Sequence, residues 1–81
     1  MTPTLAWDAD GLWLYLHVGP WRFAVADVET YTDGDGTAAH ILRGEDDGSD
    51  TLHAATVDEA RTLIAAVFGV RGVVVPTWVA P

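Results

Sequence analysis

Leu12-Trp13-Leu14-Tyr15-Leu16-His17-Val18-Gly19-Pro20-Trp21-Arg22-Phe23-Ala24-Val25 is two alternating runs joined by a Gly-Pro pair. Successive side chains of a strand point to opposite faces, and Gly-Pro is turn chemistry, so the stretch reads as a β-hairpin. With Val18 opposite Trp21, Leu16 meets Phe23 and Leu14 meets Val25 on a wholly apolar face. A slip of one residue would turn that set to the other side, so burial fixes the register. The opposite face collects Trp13, Tyr15, His17 and Arg22 with the small residues Ala24 and Ala26.

Upstream, Asp8-Ala9-Asp10-Gly11 reads as a turn that returns the chain from a strand over Leu5 to Trp7. Pairing Trp7 with Leu12 sets Leu5 beside Leu14, so Leu5, Trp7, Leu12, Leu14, Leu16, Val18, Trp21, Phe23 and Val25 share one core face. Downstream, the second hairpin strand runs to Tyr31, Thr32-Asp33-Gly34-Asp35-Gly36 turns the chain, and Thr37 to Arg43 forms a fourth strand. Its register stays open, because Ala39-Ile41-Arg43 and Ala38-His40-Leu42 are both tolerable inner sets. Glu45-Asp46-Asp47-Gly48-Ser49-Asp50 reads as a further acidic turn.

Thr56-Val57-Asp58-Glu59 has the form of a capping box, so a helix starts at Val57. Ala60, Leu63, Ile64, Val67 and Phe68 form its apolar stripe, with Asp58, Glu59, Arg61 and Thr62 outside, and Gly69 is placed to end it. Val73-Val74-Val75 could add an edge strand stopped by Pro76, leaving Thr77-Trp78-Val79 as an apolar tail that needs a surface. The fold class is α+β: an antiparallel meander of four to five strands with one helix on one face (β-β-β-β-α-β), in a single domain over residues 1–81.

The chain is 49% hydrophobic and 20% charged, which favours a packed core over disorder. It has no cysteine, so neither disulfides nor thiolate zinc sites support that core. Twelve acidic residues against four arginines give a net charge of −8, a field that repels nucleic-acid phosphates and anionic lipids. Direct nucleic-acid binding and membrane association are therefore not expected. The same field speeds encounter with a basic protein. Met1-Thr2-Pro3-Thr4 has no basic residue and no apolar run behind it, so no secretory signal is expected and the location reads as cytoplasmic.

Catalytic, metal and cofactor motifs are not found. With Gly36 as the EF-hand glycine, Tyr31 falls on the first ligand position and Leu42 on the last, and Gly11 and Gly48 fit no better. His17, His40 and His53 lack a metal-ligand spacing. Ser49 lacks the strained turn that exposes a nucleophile, and without lysine no phosphate-binding loop can be completed. The chain thus reads as a non-enzyme.

Two features point to protein binding. Trp13, Tyr15, His17 and Arg22 on a face that the helix does not cover, with Trp78 on the tail, have the composition of an interface core. If Val73 to Trp78 folded over that face, it would be a second core. The second feature is the set of acidic loops with Asp33, Asp35, Glu45, Asp46, Asp47 and Asp50, which suit a basic partner or simply aid solubility.

Trp21-Arg22-Phe23-Ala24-Val25, Ile41-Leu42-Arg43-Gly44 and Thr56-Val57-Asp58-Glu59-Ala60-Arg61 together resemble small uncharacterised proteins of actinobacteria and their phages, in which a few strands precede one helix. The resemblance spans roughly residues 21 to 68 and implies a mobile-element setting, with no functional residues to carry over. The expected function is an acidic, non-catalytic interaction protein that inhibits or modulates a basic nucleic-acid-binding host defence protein. The alternative is a self-associating structural or assembly component.

Overall fold

The computed structural model describes residues 2–31, 36–43 and 48–81. Among the described residues, five strands precede one helix: β1 (Thr4–Trp7), β2 (Trp13–Val18), β3 (Trp21–Thr30), β4 (Thr37–Leu42), β5 (Ser49–Ala54) and α1 (Val57–Val70). The strands form one antiparallel sheet in chain order, the α+β meander that the turn spacing implies. The fifth strand is Ser49–Ala54, ahead of the helix, while Val73 to Val75 form no strand. Leu52 and Ala54 pack inward from β5, and its remaining residues are polar because it is an edge.

The central hairpin pairs Val18 with Trp21 and Leu16 with Phe23. Beyond Tyr15↔Ala24 the register slips, and Leu14 meets Ala26 in place of Val25. This is a β-bulge: one extra residue on β3 lets both Val25 and Ala26 reach the core and reverses the facing of everything after them. Ala26 therefore leaves the open face, to which the unbroken alternation assigns it, and is fully buried in the core. Asp27 takes its place on the open side.

The first turn is longer than Trp7 opposite Leu12 would allow. Asp8 Oδ1 accepts from the amides of Leu12 and Trp13 (2.9 and 3.2 Å), which closes a wider loop and sets Trp7 against Leu14 and Leu5 against Leu16. The shift is two residues, so the facing is kept. On β4, Ala39 and Ile41 are the inner set, opposite Val28 and Ala26.

β3 is shared between two halves of the sheet. Its first half pairs with β2 alone, and only from Ala26 onward does it pair with β4. The helix packs on β3, β4 and β5, so the core gathers there around Leu14, Ala26, Val28, Ala39, Ile41, Ala60 and Ile64. The hairpin end lies beyond this lid. Trp21 and Phe23, expected in the core, are 66% and 53% exposed for that reason.

The Thr56 hydroxyl accepts from the Glu59 amide (3.1 Å) and Glu59 Oε2 accepts from the Ala55 amide (3.3 Å), so the helix starts as its capping signature implies. It runs past Gly69 to Val70. Gly72, at φ +79, supplies the left-handed residue, while the Gly72 amide donates to Gly69 O and the Val73 amide to Phe68 O. That paired closure satisfies the last carbonyls, so Gly72 rather than Gly69 is the stop.

Candidate protein-binding face

The tail decides which face is free. After Gly72 the chain turns back on the helix side of the sheet: Val75 packs on the core, and the Trp7 indole donates to Pro76 O (2.8 Å). Arg61 then fastens the end. Its Nε donates to Gly11 O (2.7 Å), its Nη1 to Asp58 Oδ1 (2.7 Å) and its Nη2 to Asp10 O (3.3 Å), and its guanidinium lies 4.0 Å from the centre of the Trp78 ring. Spacing alone puts Arg61 on the solvent side of the helix; its side chain is in fact 13% exposed, a clamp between turn, helix and tail. Trp78 is thus held within the chain, on the side opposite to Trp13, and does not belong with the aromatic face.

Neither helix nor tail covers the other face. There Trp13, Tyr15 and His17 follow one another on β2, with Trp13 and Tyr15 stacked at 6.4 Å and 23° and Tyr15 meeting His17 edge-on at 6.5 Å. Arg22 reaches across from β3 and lays its guanidinium 4.3 Å from the Tyr15 ring centre. Ala6 and Ala24, the β1 and β3 partners of Tyr15, give the ring room on both sides. The alanine floor exists, but Ala6 takes the part that sequence alternation gives to Ala26.

The bulge adds carboxylates to this row. Asp27 is the β3 partner of Trp13, His40 is the β4 partner of Asp27, and Thr51 is the β5 partner of His40, so one line crosses four strands. His40 Nδ1 and Asp27 Oδ1 are 2.6 Å apart, and since an ionised carboxylate only accepts, the imidazole donates in the tautomer that carries its proton on Nδ1. Glu29 Oε2 stands 4.0 Å from the same nitrogen with its side chain 62% exposed. Asp27 and Glu29 escape a reading by strict alternation, which turns both toward the core. A signal was present in the apolar residues themselves, because Val25, Ala26 and Val28 break the period at the bulge.

Among the acidic residues singled out for a partner, Asp50 lies in edge strand β5 rather than in a loop, and it is exposed. Asp33, Asp35, Glu45, Asp46 and Asp47 lie outside the described residues. Among the described residues, no three His, Asp or Glu side chains are grouped to hold a metal ion, and no helix is long and apolar enough to cross a membrane. No family model matches the chain, and neither a curated protein nor a solved structure matches it.

Two stacked rings, a cation fixed over one of them, small residues at their sides and carboxylates along one flank offer a partner both apolar contact and acceptors for basic groups.

Proposed function

We propose that this chain is a small acidic protein-binding protein that docks a basic partner protein on the open face of its sheet. The observation that carries the reading is the Trp13–Tyr15–His17 row with Arg22 over Tyr15, which helix and tail leave uncovered on the other side, with Trp13 exposed and Tyr15 and His17 half-buried. Trp, Tyr and Arg are the residues that most often anchor interfaces. The net charge of −8, with Asp27 and Glu29 beside the rings, selects a positively charged partner and steers it. A nucleic-acid-binding host protein, of the kind a mobile element would inhibit or modulate, fits that description, and the role is non-catalytic. The direct experiment is capture at low and high salt by the parent chain and by Trp13→Ala. A basic protein held at low salt by the parent alone supports the reading; equal capture by the variant refutes it.

Self-association is the second reading. The exposed Trp21 and Phe23 at the hairpin end favour it, since two large apolar side chains together outside the lid are a contact surface in waiting. Sedimentation over a range of concentrations separates the two: a dimer abolished by Trp21→Ala supports self-association, and a monomer throughout excludes it.

A further inference from the structure

The sheet has two free edges, and they are built differently. β5 presents Asp50, Thr51 and His53, all exposed, which is how a protein discourages an added strand. β1 is Thr-Leu-Ala-Trp, with no charge and no bulge. It pairs with β2 alone. The tail beside it is joined by a side chain, the Trp7 indole on Pro76 O, so among the described residues no strand meets the outward amides and carbonyls of β1.

Along that edge runs an open groove of about 400 Å³, lined by Leu5, Trp7, Asp8, Pro76, Trp78 and Val79 among others. One rim is strand backbone and the other is the tail, held in place by Arg61. From these features we infer that the β1 edge takes an extended segment of a partner protein as a sixth strand, with apolar side chains alternating with basic ones. Backbone pairing would supply the affinity, and the Trp7, Trp78 and Val79 walls would receive alternate side chains. The basic character follows from charge. Among the described residues no cation lines the groove, Asp8 does, and Asp10 and Asp58 stand at the same end, where Arg61 is already committed to Gly11, Asp10 and Asp58. A second copy would bring another eight negative charges to the edge, which disfavours self-pairing. This site is separate from the aromatic face, and either can fail without the other.

The test is titration of the ¹⁵N-labelled full chain at low salt with synthetic peptides of about seven residues, enough to span β1 at roughly 3.3 Å per residue. Three are used: alternating valine and lysine, alternating valine and glutamate, and the valine-lysine peptide N-methylated at every residue, which keeps its charge but has no amide N–H on either edge to pair. The first should shift and protect the amides of Thr4–Trp7 and move the Trp7 and Trp78 indole signals. The N-methylated peptide should bind about tenfold more weakly or worse, the equivalent of one or two net hydrogen bonds, and the glutamate peptide should not bind. Equal binding of the methylated peptide, shifts at Trp13 without shifts in β1, or no shift at all would overturn the inference. So would protection of Thr4–Trp7 that rises with protein concentration and no peptide present, which would assign the edge to a second copy.

Discussion

The Arg61 guanidinium lies over the Trp78 ring, 4.0 Å from its centre, and this contact holds the tail on the helix side of the sheet. Lysine cannot reproduce the fork that also reaches Gly11 O, Asp58 Oδ1 and Asp10 O. Arg61→Lys should therefore lower stability by about 1–2 kcal/mol, from a partly desolvated cation–π contact and lost hydrogen bonds. Chemical denaturation checks this. Trp78→Ala should likewise loosen the tail while leaving partner capture through the open face unchanged.

Gly11 and Gly72 offer a controlled comparison. Both have positive φ, +68 and +79. A methyl group on Gly72 would meet nothing within 4 Å, whereas one on Gly11 would stand 2.6 Å from the Trp78 ring and 2.7 Å from Arg61 Nη2. Gly72→Ala should cost about 1 kcal/mol, the backbone penalty alone. Gly11→Ala should cost distinctly more and move the Trp78 fluorescence or indole signal, because the ring must yield. Equal costs would mean that the tail does not sit against the turn.

Leu14 is fully buried where both halves of the sheet meet, against Trp7 on one side and Ala26 on the other. Leu14→Ala should remove about 2–5 kcal/mol, a large part of what a domain this small possesses. Urea unfolding would show it as an early midpoint, and a parent-like midpoint would reject the register described above.

Asp27 and His40 meet at 2.6 Å with side chains only 18% and 17% exposed. Removing one partner strands the other in poor solvent. Asp27→Ala should cost about 1–3 kcal/mol, and the double variant Asp27→Ala with His40→Ala should cost less than the two single losses added together. A fully additive cycle would show that the contact contributes nothing.

The strands of the central hairpin, the helix start and the bare aromatic face were legible because each rests on a local rule: period two, a capping box, and an alternation that separates Trp13 and Tyr15 from Leu14 and Leu16. Three things were harder to read. The bulge at Val25 and Ala26 is a one-residue event, visible only if the change of phase toward Val28 is taken as meaningful, and it moved Ala26 inward and Asp27 outward. β5 was hidden because an edge strand need bury only one set of side chains, here Leu52 and Ala54 among polar neighbours. The paths of Arg61 and Trp78 depend on contacts with Gly11, far away in the chain, and helical periodicity carries no information about those.

Trp13→Ala, with folding and capture measured on the same sample, tests most directly the proposal that the Trp13 face binds a partner and is not a second core. Trp13 is 40% exposed and its ring leans on Tyr15 alone among the aromatic side chains, so its removal should change stability by no more than about 1 kcal/mol. Truncating an interface anchor, by contrast, costs about 2 kcal/mol or more of binding, roughly thirtyfold in affinity. The variant should stay folded and no longer retain a basic partner. A Trp13→Ala chain that unfolds in dilute solution, or one that stays folded and captures the partner as well as the parent does, would contradict it.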